Sequence, residues 1–99
     1  MKTADLSVLS ELCQVHRIKQ LDVFGSAARN DHDPSTSDFD FIVEFEEESQ
    51  DLCQHYLAFA DALEATLGHP VDLLTEPMIR NPHFRTAINQ DRRTIYAHP

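Results

Sequence analysis

The segment that most constrains the fold is 37–43, where Asp38 and Asp40 stand one residue apart at the start of an otherwise apolar stretch. Apolar residues occupy every second position along 38–45 and mostly acidic residues lie between them, which predicts a β-strand with one buried face. Side chains at positions i and i+2 of a strand point to the same face, about 6.6 Å apart, so Asp38 and Asp40 should converge. Two like charges so placed disfavour each other's ionisation unless a cation lies between them. The segment therefore predicts a central strand of an α/β layer that presents a carboxylate pair to a cation.

A turn upstream of this strand has the features of a phosphate-binding loop. Residues 21–24 predict a strand that breaks at Gly25 and Ser26, and a short helix follows. Glycine permits close approach of the backbone, and a helix that begins just after it offers free N–H groups to a phosphate. A phosphate-binding turn beside a carboxylate pair predicts a nucleotide bound with its divalent metal.

Apolar periodicity outlines the remaining elements. A helix is predicted over 4–15, a strand with one acid, Asp72, begins at Val71, and a short edge strand is predicted over 94–96. Asn81 and Pro82 begin a helix whose inner face is Phe84, Ala87 and Ile88. A longer helix, with Ser49 as its N-cap and Gly68 as its end, carries a buried stripe of Leu52, Tyr56, Phe59, Leu63 and Leu67.

Length and charge limit the kinds of function. Ninety-nine residues predict one domain, 1–99, so a reaction with two substrates would take the second from a partner. Seventeen acidic and eight basic residues give a formal charge of −9. Direct binding to nucleic acid is disfavoured, because phosphates need clustered Lys and Arg, and a basic protein partner is the more natural complement.

Cysteine, histidine and hydropathy patterns indicate the cellular setting. Cys13 and Cys53 are isolated in sequence and are interpreted as buried free thiols in a reducing compartment. The six histidines lack ligand spacing, so no zinc site is predicted. No apolar run approaches the roughly 20 residues of a membrane span, and no signal peptide is apparent. We therefore expect a soluble cytoplasmic domain.

The order of these motifs resembles a known superfamily. The pattern G-S-x11-D-x-D, followed by V-D on a later strand, resembles the nucleotidyltransferases related to DNA polymerase β. It is most similar to the minimal nucleotidyltransferase (MNT) antitoxins of HEPN/MNT toxin–antitoxin pairs. The resemblance runs almost end to end, through F-G-S-A-A-R, S-D-F-D-F-I-V-E-F, V-D-L-L and N-P-H-F-R-T-A-I-N-Q. It implies an α/β (α+β) fold of the polymerase β-like type, with a small mixed sheet packed against helices.

The resemblance also implies roles for particular residues. Two magnesium ions would be held by three carboxylates, Asp38, Asp40 and Asp72. Gly25 and Ser26 would contact the β- and γ-phosphates of ATP. Two interpretations of Arg29 stay open, a bidentate contact with phosphate or an ion pair with Asp31 or Asp33.

The activity implied by the resemblance is transfer of AMP from Mg-ATP to a tyrosine of a cognate HEPN ribonuclease toxin. This modification would neutralise the toxin, with which the chain would form a hetero-oligomer. An alternative is a non-catalytic antitoxin that neutralises its toxin by steric binding, although such an inhibitor has no use for the carboxylates. Nucleotide transfer to a small molecule is a weaker option, because related aminoglycoside-modifying enzymes generally carry an added substrate-binding domain.

Overall fold

A computed structural model describes the backbone of residues 3–25, 39–46 and 51–98, and the side chains of these ranges from residue 6 onward. The helices in these ranges are α1 (Thr3–Val15), α2 (Leu52–Leu67) and α3 (Pro82–Asp91), with a 3-10 helix at Glu76–Met78. The strands are β1 (Ile18–Phe24), β2 (Phe39–Phe45), β3 (Val71–Thr75) and β4 (Arg93–Ala97).

The four strands form one sheet in the order β3-β2-β1-β4. The central strand β2 pairs antiparallel with β1 and parallel with β3, while β4 pairs antiparallel with β1. The sheet is therefore mixed, as the resemblance implied. The predicted central position of β2 and the predicted edge strand at the end of the chain are both confirmed.

Successive side chains of a strand point in opposite directions, so the sheet has two faces. Helices cover both of them. One face packs against α1 and α2, through Phe41 and Val43 of β2 and Phe59 and Leu63 of α2. The second face packs against α3 and the segment before it in a smaller cluster of Phe24, Ile42, Ile79 and Ile88. Asp40 lies two residues before Ile42 on the same strand, so it shares this second face.

Helix boundaries that depend on a single local residue are confirmed. Gly68 ends α2 in the left-handed conformation with φ 66°, and its N–H donates to the Glu64 carbonyl. The Asn81 side chain caps α3, accepting from the backbone N–H groups of His83 and Phe84. Both positions were predicted, because glycine and asparagine favour the backbone geometry of a helix end whatever lies around them.

Other predictions of position and burial are wrong. The N-cap of α2 is Asp51 rather than Ser49, and Leu52 is exposed because it begins the helix instead of continuing its buried stripe. Cys53, next to it, is exposed, whereas Cys13 is buried as predicted and burial raises the pKa of its thiol to about 12. In α3 the inner face is Ile88, while Phe84 and Ala87 are exposed.

The first strand is longer than predicted. It begins at Ile18 rather than Leu21, because Ile18 is fully buried and pairs with Phe45 of β2. The polar residues Lys19 and Gln20 made this part resemble a connection. In the part of the chain that the structure describes, no helix has the length and apolar character needed to cross a bilayer.

Candidate active site

Two of the predicted acids lie side by side at one end of the sheet. Asp40 of β2 and Asp72 of β3 are direct partners in the parallel pairing. Neighbouring strands lie about 4.8 Å apart and paired residues point to the same face, so the two carboxylates belong to one surface. Asp40 is half-buried and Asp72 is exposed. The pair can therefore receive a ligand from solvent on the face of the sheet that α3 partly covers.

Gly25 places the end of β1 directly against Asp40, the nearer member of this pair. Phe24, the residue before it, is the antiparallel partner of Asp40. Gly25 has φ 73°, and a Cβ built on it would lie 2.7 Å from the Oδ2 atom of Asp40. Glycine is thus required twice here, for a left-handed backbone and for the space that the Asp40 carboxylate occupies.

The structure brings together three of the six predicted site residues, Gly25, Asp40 and Asp72. The other three, Ser26, Arg29 and Asp38, lie outside the described residues and stay predictions. Within the described ranges, no group of three or more His, Cys, Asp or Glu side chains is placed to hold a metal ion. The described part of the candidate site is therefore a pair of carboxylates on adjacent strands, one of which, Asp40, lies against a glycine turn.

A family model for the nucleotidyltransferase domain matches residues 7–95, which include all of these positions. This chain belongs to the nucleotidyltransferase domain family. The resemblance seen in the sequence motifs is thereby confirmed. The polymerase β-like fold is confirmed by the solved structure of a relative with 31% identity.

Relatives of this nucleotidyltransferase fall into two groups by identity. A Methanocaldococcus jannaschii protein, named for an inferred protein adenylyltransferase activity, is 35% identical over 99 residues, covering 92% of this chain and 96% of the relative. The solved structure of an inferred minimal nucleotidyltransferase has a TM-score of 0.71 and 31% identity, covering 91% of this chain and 88% of that one.

The second group shares the fold at lower identity. An MNT antitoxin, solved in complex with a tri-AMPylated HEPN toxin of Shewanella oneidensis, gives a TM-score of 0.66 at 14% identity. The match covers 99% of this chain and 74% of the other. At that identity the likeness establishes a common fold.

The described acids of this nucleotidyltransferase fit the divalent metal that the superfamily implies. Hard cations such as Mg²⁺ take oxygen ligands, and carboxylates are the usual protein donors. Asp40 and Asp72 supply two such groups on adjacent strands, and Asp72 is open to solvent. The donor set agrees with a magnesium site.

Replacing Gly25 by alanine tests how closely the turn approaches Asp40, and Gly68 provides a matched control. Both glycines have positive φ, but a Cβ at Gly68 would meet nothing within 4 Å. We expect Gly68→Ala to cost about 1–2 kcal/mol of unfolding free energy from backbone strain alone. Gly25→Ala should cost at least about 1 kcal/mol more, because the Asp40 carboxylate must also move. Urea unfolding of both variants measures the difference, and equal losses would show that Asp40 is not crowded by the turn.

An ion-pair network beside the site, on the same face of the sheet, was not predicted from the sequence. Asp22 of β1 is 1% exposed, and its carboxylate accepts from Gln20 Nε2 at 3.0 Å and from Arg92 Nε. Arg92 also donates to Glu76, to which Arg85 donates at 2.8 Å. The network fastens the end of α3 and the 3-10 helix to the face of the sheet that carries the acids.

A basic residue at the end of a helix, such as Arg92, would be expected to interact with the helix dipole, but the structure gives Arg92 a different role. Arg92 is the C-cap residue of α3, but its guanidinium turns to the sheet and bridges two acids. Hydrogen bonds from Arg92 and then Arg85 lower the pKa of Glu76. The only sequence signal was an acid, Asp22, inside the apolar run L-D-V-F, which gives no indication of its distant partner.

Proposed function

We propose that this chain transfers AMP from Mg-ATP to a tyrosine hydroxyl of a cognate HEPN-type ribonuclease toxin and thereby neutralises it. The observation that carries the proposal is the Asp40–Asp72 pair, with Asp40 against Gly25, in a chain of the nucleotidyltransferase family. The name of the 35% identical relative supports protein adenylylation, and the complex of an MNT antitoxin with an AMPylated HEPN toxin supports the class of partner.

In this proposal the carboxylates of Asp38, Asp40 and Asp72 would hold two magnesium ions. The ions would supply positive charge that stabilises the negative charge developing on the phosphate oxygens during transfer. Gly25 and Ser26 bind the β- and γ-phosphates through the backbone turn, and Arg29 contributes a bidentate contact to phosphate. The chain itself therefore binds and orients the triphosphate.

The transfer replaces a phosphoanhydride bond of ATP by a phosphodiester bond to tyrosine, with pyrophosphate as the leaving group. The tyrosine oxygen forms a bond to the α-phosphorus of ATP, the bond from that phosphorus to the pyrophosphate oxygen breaks, and the hydroxyl proton passes to solvent. The acceptor enters on the partner protein. The formal charge of −9 favours association with a basic partner, as expected for a toxin that binds RNA.

The test combines the purified chain, ATP labelled on the α-phosphate, Mg²⁺ and the protein encoded beside it. We expect label on a tyrosine of that protein, its loss on substitution of the tyrosine by phenylalanine, and its loss with excess EDTA. Absence of label with a folded chain and bound partner would overturn the enzymatic proposal. Neutralisation that persists without label would instead establish steric binding.

A further inference from the structure

The strand that carries Asp72 is fastened by two side chains of α2. Among the strands that the structure describes, β3 lies at the edge of the sheet, where alternate backbone groups point away from β2. The backbone N–H of Val71 donates to the Glu64 carboxylate, Oε2, at 3.1 Å. The backbone carbonyl of Leu73 accepts from the Tyr56 hydroxyl. These two bonds bracket Asp72 on both sides along the chain.

Asp72 depends on its backbone for its position. Its side chain is exposed, so packing does little to hold the carboxylate in place, and β3 is only five residues long. Edge strands with exposed backbone hydrogen bonds open locally at low cost in free energy. A shift of β3 along β2 would break the alignment of Asp72 with Asp40, on which a shared cation depends.

Tyr56 is well suited to hold the strand. A tyrosine hydroxyl keeps its proton throughout the neutral range, so the group can donate to the Leu73 carbonyl there. The ring packs against the core cluster of the α1–α2 face, which fixes its direction.

We propose that Tyr56 and Glu64 are positioning residues that keep Asp72 aligned with Asp40 for metal binding. This inference rests on the proposed function, in which the divalent metal binds the nucleotide. It adds to that function two residues of α2 that have no place among the predicted site residues. Both act through the backbone of β3 rather than by touching the nucleotide.

The test measures binding of Mn²⁺ alone to the full chain by electron paramagnetic resonance, which requires neither ATP nor a partner. Tyr56→Phe keeps the ring and removes the hydroxyl. Glu64→Met removes the acceptor, whereas Glu64→Gln removes the same charge and keeps an oxygen that can accept from Val71. We expect Mn²⁺ affinity to fall about 10-fold in Tyr56→Phe and Glu64→Met, and to stay within about 2-fold in Glu64→Gln.

Amide hydrogen exchange on the same samples separates positioning from general destabilisation. Exchange at the backbone N–H groups of β3 should accelerate in Tyr56→Phe and Glu64→Met, while the buried amides of β1 and β2 keep their protection. Unchanged Mn²⁺ affinity in both variants would overturn the proposal, as would an equal loss in Glu64→Gln and Glu64→Met, or the absence of Mn²⁺ binding by the unmodified chain.

These outcomes are distinct from failure of the proposed function. An unmodified chain that binds Mn²⁺ but labels no partner protein would remove the adenylylation proposal, and the variants would still decide whether α2 positions Asp72. Conversely, a chain that labels its partner while the Tyr56 and Glu64 variants bind Mn²⁺ normally would keep the activity and remove the positioning role.

Discussion

Replacement of Asp40 by asparagine is expected to lower the rate of AMP transfer about 10³-fold. The amide keeps the shape of the half-buried side chain but loses the charge that holds a divalent cation. Stabilisation by such a cation is worth several kcal/mol, and about 4 kcal/mol corresponds to 10³ in rate. Initial rates with labelled ATP measure the effect.

Asp61→Asn is the matched control, because Asp61 is an exposed aspartate of α2 away from the sheet face that carries the acids. Its transfer rate should stay within about 2-fold of the unmodified chain, as surface substitutions rarely have large effects. A rate for Asp40→Asn equal to that of Asp61→Asn would remove Asp40 from the reaction. Full neutralisation of the toxin by Asp40→Asn, with transfer abolished, would favour the steric alternative.

Replacement of Arg92 by methionine is expected to lower the free energy of unfolding by about 3 kcal/mol. Methionine keeps the length of the side chain but leaves the carboxylate of Asp22, which is 1% exposed, without its ionic partner. Removal of one partner of a buried ion pair typically costs about 3–5 kcal/mol, because the remaining charge stays out of water. Urea unfolding measures the loss.

Arg93→Met controls for this substitution, since Arg93 is the next residue and its side chain is exposed. We expect it to change the unfolding free energy by less than about 0.5 kcal/mol. The double variant Asp22→Asn with Arg92→Met should lose less unfolding free energy than the two single variants lose together, because no isolated charge remains at position 22. Additive losses would show that Asp22 and Arg92 do not stabilise each other.

The parts of the fold that were predicted correctly are those specified by neighbouring residues. Gly68 and Asn81 mark helix ends through their own backbone and side-chain preferences, and the alternation along β2 records its two faces directly. Ile18 was misassigned because a buried residue flanked by polar ones has little local signal. Whether it forms a strand depends on its pairing with Phe45, distant in the sequence.

The candidate site also has features that the sequence indicates and features that depend on distant partners. The family resemblance implied that Asp40 and Asp72 act together, and the motif indicated a glycine at position 25, so both were accessible from the sequence. The pairing of Asp22 with Arg92 joins residues 70 positions apart, and no local pattern specifies it. The roles of Ser26, Arg29 and Asp38 stay predictions.

The fastening of β3 by α2 also bears on how a partner protein can approach. A peptide that lengthens a sheet by strand addition needs unoccupied backbone donors and acceptors along the edge it joins. At β3 the Val71 N–H and the Leu73 carbonyl are already engaged by Glu64 and Tyr56. A partner that reaches Asp72 from this side therefore gains little from main-chain pairing. It must be recognised through its side chains, and the same edge is protected from sheet-to-sheet aggregation.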